Sequence, residues 1–241
     1  MNLFEVGLKT DMVPNQAEWL RRLLRFELDD PNSNEIARGA NGNYEWKYNP
    51  NPFHWSRQFE WPWAFHHSEL ATATDKWRVL DVGSSCSLPK YLMAANGCDV
   101  YALDNDPTTF VKTQSTMDKL KMSRSIHQIL ADAREIPFPD NWFDRVFCIS
   151  TLEHINGNRL LAVDEMVRVL KPGGILILTM DIRCQGKLTD DFYLDPQNAF
   201  EITERLRVTP REYKAEDVAT AFYPPDIMLA VYCIKYTKPS S

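Results

Sequence analysis

The sequence predicts a doubly wound α/β fold with a mostly parallel sheet, and three observations carry that prediction. An apolar run, Arg78-Val79-Leu80-Asp81-Val82, feeds a turn of small residues, Gly83-Ser84-Ser85-Cys86-Ser87. A helix-like segment over 88–96 closes on Gly97, and a second apolar run, residues 100–103, ends in Asp104, 23 residues after Asp81. From Lys76 onward, short apolar runs alternate with segments of helical periodicity, the pattern of successive βαβ units.

The remaining elements follow in order. Residues 107–120 read as a helix, 126–130 as a third strand running out to Asp132, and 143–150 as a fourth. A helix over 158–170 places Leu161, Met166, Val167 and Leu170 on one face. Lys171-Pro172-Gly173-Gly174 should end it, glycine being suited to a left-handed cap. The continuous apolar run at 175–180 suits a central parallel strand covered on both faces, and 227–236 reads as a final strand. The stretch 185–225 yields no assignment.

Residues 1–75 read differently. A helical pattern over 16–28 breaks at Asp29-Asp30-Pro31, and a polar stretch over 41–52 follows. The block at 53–65 then holds Trp55, Trp61 and Trp63, three of the seven tryptophans. We expect an N-terminal cap and lid over 1–75, and a nucleotide-binding domain over 76–241.

Composition narrows the function. The 241 residues are 44% hydrophobic and 25% charged, ordinary for a globular chain. A formal net charge of -6 without a dense basic run argues against a nucleic-acid partner. No apolar run approaches the roughly 20 residues of a membrane span, and the first ten residues lack a signal-peptide core. Five scattered cysteines, odd in number and without a C-x-x-C pair, suit reduced thiols in a cytoplasm. No metal is expected, since the adjacent side chains of His66-His67 diverge.

The turn after residue 82 separates two cofactors. A dinucleotide site uses G-x-G-x-x-G to bring helix amides onto a pyrophosphate. Here Asp81 lies two residues before Gly83, where an acid repels pyrophosphate but tolerates a cationic sulfonium. An acid at the tip of the second strand, Asp104, suits the two hydroxyls of a ribose.

The segment resembles motif I of the class I S-adenosylmethionine-dependent methyltransferases, V-L-D-x-G-x-G-x-G, with Ser85 and Ser87 where the family has its next two glycines. Residues 132–144 resemble the family's D-A-x-x-L-P-F-x-D-x-x-F-D segment, 150–155 its strand-four exit, and 165–174 its E-x-x-R-V-L-K-P-G-G motif. The ordered set covers residues 76–181. Residues 57–63 are similar to a short R-x-x-E-Y-P-W-like block of some bacterial members. The resemblance implies a seven-stranded sheet, S-adenosylmethionine as cofactor and S-adenosylhomocysteine as product. It also implies a small-molecule methyl acceptor, first an oxygen or nitrogen of a secondary metabolite or sugar.

On this reading Asp104 and the neighbouring Asn105 hold the ribose, with Asp106 as competitor for that role. Asp132 accepts from the adenine amino group and the Ala133 amide faces the ring. Asp81, Gly83 and Ser85 shape the turn, Ser150 lines the strand-four exit beside Thr151, and Arg57 pairs with the methionine carboxylate. His154 is the candidate general base, since imidazole titrates near neutrality. Trp55, Trp61, Glu153, Asp181, Arg183 and Tyr193 are candidates for the acceptor pocket. Two other classes stay open: a non-catalytic binder of the cofactor or regulator of a partner, motivated by Ser85 and Ser87, and a nicotinamide-dependent oxidoreductase, disfavoured by Asp81.

Overall fold

The computed structural model describes residues 3–6, 57–72, 76–85, 87–185, 194–209, 220–223 and 227–240. The helix expected over 16–28 lies outside them. Eight strands form one sheet among the described residues: β1 Leu3–Val6, β2 Arg78–Val82, β3 Asp99–Asp104, β4 Ile126–Leu130, β5 Phe143–Ile149, β6 Leu170–Gln185, β7 Thr220–Tyr223 and β8 Ile227–Thr237. Their order is β1-β8-β6-β5-β2-β3-β4, with β7 also paired to β8.

Strands β2 to β6 run parallel to one another, and β8 is antiparallel to β6. β1 pairs with the stretch from Tyr232 to Lys235 of β8, while β7 pairs with the stretch from Ile227 to Ala230. These two short strands therefore share one edge position end to end. The sheet is seven positions wide, as expected, but eight strands fill it.

Among the described residues, five helices cover the sheet: α1 Arg57–His67, α2 Pro89–Ala95, α3 Thr108–Lys119, α4 Arg159–Val169 and α5 Pro196–Leu206. Alternation along the strands decides which face each residue serves. Leu80, Val82, Val146, Cys148, Leu176 and Leu178 pack with Ala162, Val163 and Met166 of α4 and Ile202 of α5. Val79, Val100, Phe147, Ile175 and Ile177 pack with Trp63 and Phe65 of α1, Tyr91 and Met93 of α2 and Met117 of α3. The run over 175–180 is apolar at both alternations because both faces are covered.

Two expectations change here. Where cover over the strand ends was expected, the described N-terminal residues join the sheet and its core: Leu3–Val6 extends the sheet, and Trp63, Ala64 and Phe65 are buried against it. The stretch left unassigned after residue 185 supplies α5 and β7.

The end of α4 is a third. Its C-cap, Leu170, is extended rather than left-handed, and Gly173, with φ 74°, belongs to the irregular start of β6. The open carbonyls are taken by Lys238, whose Nζ donates to Val167 O at 2.7 Å and Leu170 O at 2.7 Å, and to Asn141 Oδ1 at 2.9 Å. A cation at a helix C-terminus also suits the helix dipole. Lys238→Met should cost about 1–2 kcal/mol in chemical denaturation, the loss of a charge-assisted cap. Stability equal to that of the parent protein would remove Lys238 from this role.

The E-x-x-R sequence has a mechanical meaning. Arg168 Nε and Nη2 donate to Glu165, while its Nη1 and Nη2 reach Phe138 O and Ile136 O at 2.8 and 2.9 Å. Glu165 Oε2 in turn accepts from the Ile136 amide at 2.8 Å. The pair clamps the segment that follows Asp132, so two separate motifs of the sequence form one contact. The Arg168 hydrogen bonds hold the Glu165 carboxyl below its ordinary range.

Candidate functional site

The parallel strands set the place of the site. β2 is the first of them; β3 and β4 are added on one side, and β5 and β6 on the other. The chain reverses its winding between β2 and β5, and ligands of such sheets lie beyond the strand ends at that point. The loops leaving these two strands touch. A Cβ at Gly83 would fall 2.2 Å from Thr151 Cγ2 and 2.8 Å from Thr151 Cβ. Gly83 has φ 68°, so both the backbone shape and the neighbouring loop require glycine.

The turn after β2 is built around Asp104. Its Oδ2 accepts from the Ser85 amide at 2.7 Å, and its Oδ1 from the Asp106 amide at 2.9 Å. Ser85 adopts φ 46°, a left-handed conformation that glycine takes without strain and a residue with a Cβ does not. Asp81 is buried and accepts from Ser84 Oγ at 2.7 Å. Burial pushes the Asp81 carboxyl above its ordinary value, against the opposing pull of the nearby Lys90.

Sequence reasoning missed Lys90. It is 0% exposed, and its Nζ donates to Ser84 O, Ser85 O and Ser87 O at 3.0, 2.8 and 3.0 Å. One side chain thus gathers three carbonyls of the turn. Its signal in the sequence is a lysine inside the otherwise apolar start of α2, next to Leu88, Tyr91 and Leu92.

Glu60 was also missed. It is 0% exposed. Its Oε1 accepts from Ser150 Oγ at 2.5 Å and from Thr179 Oγ1 at 2.8 Å. Ser150 has φ 43° and donates its amide to Thr179 O at 2.9 Å. Glu60 therefore ties α1 to the exits of β5 and β6. Its signal was an acid enclosed by Phe59, Trp61 and Trp63.

The other predicted residues are distributed unequally around this edge. Ala133 is nearly buried, and Asp132 is held by Arg134, whose backbone amide and Nε reach Asp132 Oδ1 at 2.8 and 2.9 Å and whose Nη2 reaches Oδ2 at 2.5 Å. Those bonds lower the Asp132 carboxyl to about 2. The adenine amino group assigned to Asp132 would thus share it with an arginine.

Glu153 is buried and accepts the Asp181 amide at 3.0 Å, which locks β6 to the β5 exit. Asp181 is buried as well. Arg183 pairs with Asp195 at 2.5 Å. His154 and Asn105 are exposed. Trp61 packs within the core on the α1 face of the sheet, where a lid over the strand ends had been expected. Trp55 and Tyr193 lie outside the described residues. Arg57 begins α1, and its side chain lies outside the described part of the structure.

Two further facts bound the chemistry. Among the described residues, no three His, Cys, Asp or Glu side chains group as a metal site. No described helix is long and apolar enough to cross a membrane.

Residues 80–178 match the model of a methyltransferase domain family. The chain is 32% identical over 135 residues to the ubiquinone/menaquinone biosynthesis C-methyltransferase UbiE of Pseudomonas putida, covering 54% of this chain and 52% of that protein. It is 44% identical over 55 residues to the protein of the same name from Coxiella burnetii, covering 23% of this chain and 22% of that one. The chain thus spans at most about half the length of these curated relatives. Among solved structures it resembles the cyclase SpnF with a TM-score of 0.55 at 19% identity, over 90% of this chain and 96% of that one. The MccD protein gives 0.52 at 15% identity, over 73% and 96%. Both likenesses concern the fold. The ordered motifs meet at the switch point, inside the span of residues 80–178 that is similar to a methyltransferase domain family.

Proposed function

We propose that this chain transfers a methyl group from S-adenosylmethionine to a small-molecule acceptor and releases S-adenosylhomocysteine. The observation that carries this reading is Asp104. Its carboxylate stands at the end of β3 beside the switch point and is fixed by two backbone amides. A carboxylate offers about four acceptor sites, so lone pairs remain for a ribose.

The electrostatics agree with a cationic ligand. Four buried acids, Asp81, Glu60, Glu153 and Asp181, outnumber the buried Lys90 near the C-terminal ends of β2, β5 and β6, and an excess of acids there opposes a pyrophosphate. Bound S-adenosylmethionine supplies a methyl group on a positively charged sulfonium. The protein then has to align donor and acceptor and exclude water. The braced exits of β5 and β6 give the rigid floor which that alignment needs.

The curated relatives are named as C-methyltransferases, so an electron-rich carbon joins oxygen and nitrogen among the acceptors and takes first place. Methylation at a ring carbon displaces a proton, which a base must remove. His154, exposed on the turn after β5, is our candidate for that base.

Calorimetric titration with S-adenosylhomocysteine tests the cofactor. Asp104→Ala should raise the dissociation constant about tenfold or more, the cost of roughly 1.5–3 kcal/mol for a lost charged acceptor. An unchanged constant in a folded variant rejects the assignment. Incubation with methyl-labelled cofactor and a panel of phenols, amines and sugars then tests the acceptor. Tight binding without transfer to any of them would instead favour a non-catalytic binder.

A further inference from the structure

We propose that Lys90 is a positioning residue for the cofactor turn: its ammonium holds the left-handed backbone at Ser85, where the resembled motif has glycine, and thereby keeps the Ser85 amide on Asp104. The inference rests on the reading of this turn as the cofactor site.

The turn has a specific problem. Ser85 sits at φ 46°, and an L residue with a side chain is disfavoured there. Left to itself, a serine at this place would let the turn visit other shapes. Three carbonyls, those of Ser84, Ser85 and Ser87, must also point inward. Carbonyls converging on one point repel one another unless a donor sits between them. Lys90 is that donor, with three N–H groups for three oxygens.

The same side chain carries the positive charge that opposes burial of Asp81. Asp81 in turn accepts from Ser84 Oγ, so the acid, the turn and the lysine form one closed set. Thr113 Oγ1 adds a weak contact to Ser85 O at 3.4 Å from α3. The ligand reading applies at Asp104, whose Oδ2 accepts from the Ser85 amide at 2.7 Å. Lys90 is fully buried and meets the turn at its carbonyls, so it acts on the cofactor only through the turn's shape.

A population argument makes the proposal quantitative. Apparent affinity falls in proportion to the fraction of molecules with the turn correctly formed. With Lys90 present that fraction is near one, so Ser85→Gly alone should change the affinity for S-adenosylhomocysteine less than threefold. Lys90→Met should lower that fraction and weaken binding at least tenfold. In the Ser85→Gly background, where the left-handed shape carries no side-chain cost, Lys90→Met should weaken binding at least threefold less than it does with serine present. An equal loss in both backgrounds overturns the proposal, as does no loss in a folded Lys90→Met protein.

Amide hydrogen exchange on the ligand-free protein separates this test from the cofactor assignment. Exchange at Ser85 should speed at least tenfold in Lys90→Met, with a smaller change at Val79 and Leu80 of β2. A parent protein that binds no S-adenosylhomocysteine but shows this exchange pattern would refute the cofactor reading and leave the brace standing. A uniform acceleration over β2 and the turn would show a purely structural lysine and overturn the proposal. If Lys90→Met does not fold, the double variant decides: recovery of folding with Ser85→Gly supports the brace, and failure of both overturns it.

Discussion

Gly83→Ala should abolish measurable cofactor binding and destabilise the protein by about 3 kcal/mol or more. Two costs combine. A left-handed φ of 68° costs a residue with a Cβ roughly 1–2 kcal/mol. The new methyl group would also lie 2.2 Å from Thr151 Cγ2 and 2.3 Å from Thr151 Oγ1, and overpacking of that kind costs about 1–3 kcal/mol more. The loops after β2 and β5 must then part, which moves both sides of the switch point at once. Thr151→Ala should recover only part of the loss, because the Thr151 Cβ itself stands 2.8 Å away. Denaturant unfolding and calorimetric titration of the two single variants and the double variant check this. Gly83→Ala with parent-like stability and affinity would show that the two loops do not meet.

Glu60→Ala should cost about 2–4 kcal/mol and reduce turnover more than a surface change on the same helix. The truncation leaves the Ser150 and Thr179 hydroxyls without their shared acceptor in a buried position, and it opens a cavity beside α1. Ser150, already at φ 43°, would lose one of its tethers. Glu60→Gln retains one acceptor oxygen and should cost less than half as much. The two variants compared by denaturation, with methyl transfer measured in parallel, form the test. An alanine variant within about 0.5 kcal/mol of the parent would mean that the β5 and β6 exits hold their geometry without α1.

The elements that the sequence revealed are those whose signal is local. The β2–turn–α2–β3 unit could be read because alternating and continuous apolar runs, small turn residues and terminal acids lie within 30 residues of one another. Asp104 was legible for the same reason: its place at a strand tip follows from the length of one βαβ unit. Trp61 and Trp63 were harder, since an aromatic-rich helix can serve either as lid or as core. What decided the matter was the uncovered sheet face that Ile175 and Ile177 offered to α1. The cap of α4 shows the same limit, because a Gly-Gly pair after a helix reads as a left-handed cap only until Lys238, far along the chain, takes its carbonyls.

By itself, the sequence determined the class of fold, the succession of its central strands and helices along the chain, the acid expected to face a ribose and the family that the motifs resemble. These depend on periodicity and spacing, which are properties of neighbouring residues. Only the tertiary structure decided that a buried lysine gathers three carbonyls of the turn after β2, that β1 and β7 share one edge, and that a glutamate of α1 bonds side chains 90 and 119 residues away. Buried polar groups must find partners wherever the fold brings them, and the identity of such a partner is fixed by packing across the sheet rather than by position along the chain.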